Sequence, residues 1–344
     1  MIKKVLFAVL LLSTALLFMQ CSKNKDTASV VVPPVFYAAG TESNGTHQVA
    51  KVWEDNVPVS LTDGMHDASA NSIFVSGNDV YAAGYEFNNS GIPTAKLWKN
   101  GTATALSGGT KPAEANDVFI AGTDVYVAGY ESNSRQISIA TVWKNGVPAA
   151  LTDGSFNAYA NSVYVSGNDV YVAGYELNSS NVSIAKLWKN GTAINLSDGN
   201  ADVYATSLFV AGTDVYVLGE EIFRSRKTVT KLWKNGTATV LSDGTVNTYG
   251  TSIFVSGSDV FAAGYELNSS SIAAPKLWKN GVAITVNPGS TAGSINAIYV
   301  NGANVFAGGT ANSNGISVAT VWKNGVATAL STAPSSEINA VFVK

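Results

Sequence analysis

Seven residues stand at equivalent places along this chain: Ser69, Glu114, Tyr159, Tyr204, Tyr249, Ser294 and Glu337. Three successive copies are tyrosines, which offer an apolar ring and a hydroxyl to a sugar or a peptide. Two are carboxylates, one on either side of Ser69 if the series closes on itself. Acid/base hydrolysis of a glycosidic bond needs two carboxylates at a set separation, and Glu114 and Glu337 are the pair to consider. His66 and Asp67 lie just ahead of Ser69, and Asp117 is the only carboxylate at its own repeat position. The candidate ligand-binding residues are therefore Tyr159, Tyr204, Tyr249, Glu114, Glu337, His66 and Asp117. The plainer reading of the tyrosines is that they pack the top of the core.

No other chemistry stands out. There is no H-E-x-x-H, no G-x-S-x-G, no Walker loop and no Cys/His cluster. His47 and His66 are the only histidines, too few for a dedicated His-metal site. No catalytic residue, metal ligand or cofactor is assigned. The recurring Thr-Asp-Gly and Ser-Asp-Gly triplets, as at Thr62-Asp63-Gly64 and Ser197-Asp198-Gly199, resemble the Asp-box of sialidase propellers. They lack its intervening residue and following aromatic, and read as turns.

The elements that carry these residues follow from a repeat. Trp-Lys-Asn-Gly occurs six times, from Trp98-Lys99-Asn100-Gly101 to Trp322-Lys323-Asn324-Gly325, and Trp53-Glu54-Asp55-Asn56 is a degraded first copy. The seven tryptophans are spaced 45, 45, 45, 45, 45 and 44 residues apart. Within one period, Ser162 to Ser166 reads as a first strand and Gly167-Asn168 as a two-residue hairpin. Asp169 to Tyr175 is a second strand, Ile184 to Lys189 a third, and Thr192 to Leu196 a fourth. Asn190-Gly191 suits a type I′ turn, which needs positive φ at both central residues. Four short antiparallel strands per 45 residues, seven times over, predict an all-β, seven-bladed β-propeller over residues 35–344.

The chain starts on a second strand, at Val35 to Gly40, and ends on a first strand, at Asn339 to Lys344. The C-terminal strand is expected to pair with the N-terminal strands and close the ring, because an open ring leaves strand edges unpaired. The first strand is assigned to the central channel and the tryptophan to the seam between blades. All the Gly-Asn and Asn-Gly hairpins then share one face. The longer loops share the other, where binding is expected. A polar ring at the channel mouth, Asn71, Asn116, Asn161, Thr206, Thr251, Asn296 and Asn339, either caps strand starts or faces a ligand. Glu42, Glu86, Glu131, Glu176, Glu220 and Glu266 recur after the second strand. Asn44, Asn88, Asn133, Asn178, Asn268 and Asn312 follow, and the repetition argues for a role in turns. One loop departs: Glu220 to Lys227 is apolar and basic, and Arg224, Arg226 and Lys227 make it the candidate partner loop.

The Asp-Val-Tyr-Val-Ala-Gly-Tyr phrase, at Asp124 to Tyr130 and Asp169 to Tyr175, resembles bacterial secreted β-propeller repeats. Trp-Lys-Asn-Gly resembles repeats of bacterial envelope lipoproteins. The resemblance covers residues 35–344 and implies a fold without an established activity.

Residues 1–20 read as a secretory signal, with Lys3-Lys4 ahead of an apolar run from Val5 to Met19. Cys21, the only cysteine, follows at once and resembles the lipidation site of a bacterial lipoprotein, although Phe18-Met19-Gln20 is bulkier than most such sites. Residues 21–34 are then a lipidated Cys and a polar tether. Cleavage before Cys21 leaves 19 basic and 24 acidic side chains and a net charge of −5. No Lys/Arg cluster marks a nucleic-acid footprint. The expected molecule is a monomer held at the membrane by its lipid, on the outer-membrane, periplasmic or surface side of the envelope. It is expected to bind a glycan or a protein, with a carbohydrate-acting propeller enzyme as the alternative.

Overall fold

The computed structural model describes residues 34–284, 286, 292–313, 315–333 and 335–344. Cys21, the signal and the tether lie outside the described residues. The described strands form seven four-stranded antiparallel sheets, each in simple sequential order except one. That one, the seam blade, pairs the C-terminal strand Ser336–Val343 with Phe36–Ser43, followed by Gln48–Glu54 and Val57–Ser60. Its register runs from Phe36 opposite Val343 to Glu42 opposite Ser336. The expected seven-bladed propeller, closed by the C-terminal strand, is the fold found.

The type blade consists of Ala158–Ser166, Asp169–Leu177, Ser183–Lys189 and Thr192–Asn195. Strand order and turn positions match the sequence reading, but the innermost strand begins four residues earlier than expected. The cause is a bulge. Ala160 pairs with Gly174 and Ser162 with Ala173, so Asn161 is the extra residue. Alternation of apolar and polar residues breaks at the bulge, and a reading based on alternation stops there. All seven innermost strands carry the same register shift. The bulge also explains the invariant glycine of the second strand. A Cβ on Gly174 would lie 2.0 Å from the Tyr159 carbonyl oxygen, and the other six copies are equally tight.

The turns follow their chemistry. Asn100 and Gly101 have φ of 50° and 77°, as a type I′ turn requires. In the degraded copy, Asp55 and Asn56 adopt 43° and 71° and make the same turn. The asparagine does more than tolerate this conformation. Asn100 accepts the Val80 amide at 2.8 Å and donates to Asp79 at 2.8 Å, and Lys99 reaches the same Asp79 carboxylate at 2.7 Å. Lys99 also lies over the Tyr81 ring. The Trp-Lys-Asn-Gly phrase is thus one half of a cluster whose other half is Asp-Val-Tyr.

Every tryptophan is 0–2% exposed. Trp98 sits in one apolar cluster with Tyr37, Ala39 and Val52 of the preceding blade, which places it in the seam between blades. Burying such a ring stabilises by about 2–3 kcal/mol, so the seven together hold the blades face to face. The outermost strands are three or four residues long and exposed, save for half-buried Ala327, and Pro58 and Pro148 blunt two of them. Because of the bulge, Gly174→Ala forces a methyl into a backbone carbonyl. It is expected to destabilise by roughly 3 kcal/mol or more, measured as the loss in thermal or denaturant unfolding. A melting curve like that of the wild type would mean the bulge relaxes freely.

Candidate functional site

The innermost strands present four tiers of side chains to the axis, and each tier crosses from blade to blade. The bulged residues form the second tier. Asn71 Nδ2 donates to the Ala115 carbonyl at 3.0 Å, Asn116 to Ala160 at 3.0 Å and Asn161 to Ala205 at 2.8 Å. Thr206 and Thr251 hydroxyls donate to Gly250 and Ile295 at 2.7 and 2.8 Å. Asn296 donates to Ile338 at 2.9 Å, and Asn339 to Ala70 at 3.1 Å. The circuit is closed. These residues lie inside strands, not at strand starts as the capping reading had it, and their donors clamp adjacent blades.

The third tier holds Ser72, Asp117, Ser162, Ser207, Ser252, Ala297 and Ala340. Serine oxygens accept the next blade's amide, as from Val118 to Ser72 and from Leu208 to Ser162, both at 3.2 Å. Asp117 does the same with a carboxylate. It accepts Ser72 Oγ at 2.7 Å and its neighbour Val118 N at 2.9 Å on one oxygen, and Ser162 Oγ at 3.0 Å and Val163 N at 2.9 Å on the other. Burial pushes its carboxyl above the usual range, and these four bonds oppose the shift. Asp117 thereby ties three blades together. Below it, Phe74, Phe119, Tyr164, Phe209, Phe254, Tyr299 and Phe342 form a closed belt with neighbouring centroids 4.6–5.0 Å apart. Their interplanar angles of 43–59° are close to one-seventh of a turn, so each ring repeats its neighbour's pose. The enclosed channel has a volume of about 430 Å³.

The top tier breaks the symmetry. It contains the series from Ser69 to Glu337 and the residues paired with it on the second strands. In four consecutive blades both members are large: Glu114 with Tyr130, Tyr159 with Tyr175, Tyr204 with Glu220, and Tyr249 with Tyr265. The tyrosines use their faces on one another. Tyr130, Tyr159, Tyr175 and Tyr204 run in a ladder with centroids 4.8–5.0 Å apart, and Tyr249 stacks on Tyr265 at 4.7 Å. Around the seam the pairs are Ser294 with Thr310, Glu337 with Thr41, and Ser69 with Tyr85. Four of those six side chains are small, and a cavity of about 560 Å³ opens there.

That cavity combines Gln48, which has no counterpart in the other blades, with residue types that recur elsewhere in the ring: Glu337 as Glu114, Tyr85 as Tyr130 and Asp67 as Asp202. It is lined by Glu337, Asp67, Gln48 and Tyr85 among others. Glu337 accepts Asn296 Nδ2 at 2.7 Å, and burial raises its carboxyl above the usual range despite that bond. Burial also raises the Tyr85 hydroxyl, with further contributions from the charges of Glu114, Asp67 and Glu337. Asp67 accepts the Gln48 amide at 2.8 Å and lies 3.4 Å from His47 Nδ1. His66 bonds Asn89 at 2.8 Å, with its ring 6.5 Å from that of His47. His47 thus touches a residue of the cavity wall, while neither histidine is itself part of the lining. Among the described residues, no group of three or more His, Cys, Asp or Glu is placed to hold a metal ion.

Two features escaped the sequence reading. The glutamate series is one residue out of step in one blade. Glu221 is the member, ion-paired with Lys231 as Glu86 is with Lys96 at 3.1 Å and Glu176 with Lys186 at 2.9 Å. Except for Glu131, whose blade has Thr141 at the lysine position, the series makes cross-strand ion pairs, so its role is not in turns. Glu220 instead occupies a tyrosine position, and burial alone raises it to about 7. Counting from Gly219 rather than from the glutamates would have revealed it. The second missed feature is the partner of the asparagine series. Asn88 Oδ1 accepts Ser90 N and Ile92 N locally, while Nδ2 donates to the Gly109 carbonyl at 2.7 Å. In the departing loop Phe223 replaces this asparagine and is 41% exposed. Arg224 and Arg226 are exposed beside it, and Lys227 Nζ contacts the Thr245 carbonyl.

Fold and site define a seven-bladed β-propeller with a cavity at its seam. No family model matches the chain, and no curated protein does either. Solved structures do. The acylaminoacyl peptidase of Pyrococcus horikoshii aligns with a TM-score of 0.55 and 12% identity over 87% of this chain, and this chain spans about half (51%) of that one. The β-propeller domain of the Trilobed protease from Pyrococcus furiosus aligns with a TM-score of 0.53 and 9% identity, over 88% of this chain and 95% of that one. At such identities the likeness is one of fold. The second is described as having an open velcro topology, whereas here the terminal strands pair.

The raised Glu220 carboxyl fixes a pH dependence. Below its ordinary value of 4.5 the group is neutral folded and unfolded and costs nothing. As pH rises from there to about 7 the unfolded chain ionises first, so stability falls, and the full penalty persists above. That penalty is about 3 kcal/mol. Glu220→Gln should therefore raise the melting temperature at about pH 8 and leave it unchanged at about pH 4, followed by circular dichroism. An equal effect at both pH values would assign the change to packing.

Proposed function

We propose that this protein is a lipid-anchored β-propeller of the bacterial cell envelope that binds a glycan or protein ligand on its long-loop face. The observation that carries this reading is where the symmetry fails. Three of the four tiers repeat almost unchanged around the axis, and in the fourth small side chains in three adjacent blades open one cavity at the seam. In that sector Glu337, Asp67 and Gln48 surround open space, where the equivalent sectors are filled by paired large side chains. Binding sites concentrate unlike residues on a rigid scaffold, and a cavity of this size holds a small ligand or one unit of a larger one. The tyrosine ladder across the channel is a second surface of the same face. The Phe223 loop with Arg224, Arg226 and Lys227 offers a further contact for a partner.

The alternative is a propeller enzyme acting on carbohydrate. Burial raises both Glu114 and Glu337, the state a general acid needs. Release of new reducing ends from a captured glycan is the behaviour that distinguishes it. The solved neighbours include peptidase propellers, which fits an enzymatic setting without indicating glycan chemistry.

Glycan-array and pull-down capture with the full chain tests the reading. Ser69→Tyr fills the cavity with a side chain that other blades already carry, and should abolish capture. If capture survives it but is lost in the Tyr159→Ala, Tyr204→Ala, Tyr249→Ala triple variant, the ligand sits on the tyrosine ladder instead. The anchor has its own measurement. Radiolabelled fatty acid should enter the wild-type chain in cells and not Cys21→Ala.

A further inference from the structure

We propose that the seam cavity is the seat of a de-N-acetylated amino sugar, a hexosamine unit carrying a free ammonium group. This rests on the reading of the cavity as the ligand site and names the chemistry it selects.

The lining is rich in acceptors. No lysine or arginine lines the cavity, whereas Glu337 and Asp67 both do. Glu337 gives one oxygen to Asn296, and its carboxylate has capacity left on the other. Gln48 donates through Nε2 to Ser335 at 3.2 Å, and its Oε1 is buried with no partner in the protein. That oxygen is closed off from the cavity, so the acceptors presented to a ligand are the Glu337 and Asp67 carboxylates. An ammonium brings three donors and a positive charge to a pocket that offers carboxylate oxygens and no cation. An acetamide would bring its own carbonyl oxygen against those acceptors.

The rest of the lining selects a sugar. Thr41, Ser69, Thr310 and Ser317 bring hydroxyls; Ser69 donates to Asn71 at 2.6 Å, Ser317 to Asn312 at 3.2 Å, and Thr310 bonds Ser294 at 3.1 Å, so what these last three keep for a sugar is chiefly acceptor capacity for its ring hydroxyls. Tyr85 and Phe87 lie edge to face with centroids 5.8 Å apart and form the apolar wall against which a pyranose can pack. A peptide amino terminus carries the same ammonium. Its next group is a carbonyl, however, which would bring an acceptor against the Glu337 and Asp67 carboxylates.

Titration calorimetry of the full chain with a glucosamine tetramer, its fully N-acetylated counterpart and trialanine tests this. The free-amine tetramer should bind at least tenfold more tightly than the acetylated one and than trialanine. Glu337→Gln should weaken it at least tenfold without lowering the melting temperature, and Ser69→Tyr should abolish it. Tyrosine is tolerated at that position in three other blades, so a folded variant is expected. Equal binding of the two tetramers, preference for trialanine, absence of binding to the free-amine tetramer, or indifference to Glu337→Gln would overturn the assignment. The two readings separate cleanly. A different ligand that Ser69→Tyr blocks keeps the cavity as the seat and overturns the amino sugar alone. Binding indifferent to Ser69→Tyr overturns the seat as well.

Discussion

The bulge in each innermost strand is the feature on which the rest of the ring depends. One extra residue turns a side chain out of the sheet's alternation and toward the next blade, where it donates to a backbone carbonyl. Seven such bonds run head to tail, and the last, from Asn339 to Ala70, joins residues 269 apart in sequence. Asparagine and threonine both serve because each has a short side chain with a donor at the right reach. The same bulge brings the preceding carbonyl against the second strand, and only glycine leaves room for it there. One backbone irregularity therefore accounts for two sets of residues that would otherwise look like unrelated repeat positions.

Closure by the terminal strands has a cost that falls in one place. At the third tier, Ala297 and Ala340 have no side-chain oxygen, so the hydroxyl relay made by Ser162 and its neighbours is not continued through the seam. At the top tier, small residues replace the stacked tyrosines in the same sector. The seam blade relies instead on its backbone pairing, from Phe36 opposite Val343 to Glu42 opposite Ser336, and on apolar contacts such as Phe36 against Phe306. A ring that is least filled where its ends meet has there the room to hold a ligand, while the remaining blades keep it rigid.

Electrostatics follow the same division. On the hairpin face, aspartates and lysines pair in the open and fix turns. On the long-loop face, glutamates at 114, 220 and 337 are pressed into a layer of tyrosines, and desolvation raises each of them. Those groups are held in a state that water would not favour, and a donor-bearing ligand at Glu337 would relieve part of that.

Much of this was legible in the sequence because it is local. The tryptophan spacing counts blades, Asn-Gly and Gly-Asn write hairpins, and a chain that begins on a second strand and ends on a first must close on itself. The innermost strand's true start was not legible, since a bulge interrupts the alternation by which strands are recognised. Nor was Glu220, whose neighbour Glu221 has the same letter and the opposite environment. The cavity was beyond reach for a deeper reason. It is the sum of small side chains from three blades, drawn from both ends of the chain. Residue types and period determine which elements form and how many. Which side chains share a wall, and where a gap is left between them, is decided only when the ring closes and brings Thr41 and Ser69 beside Thr310 and Glu337.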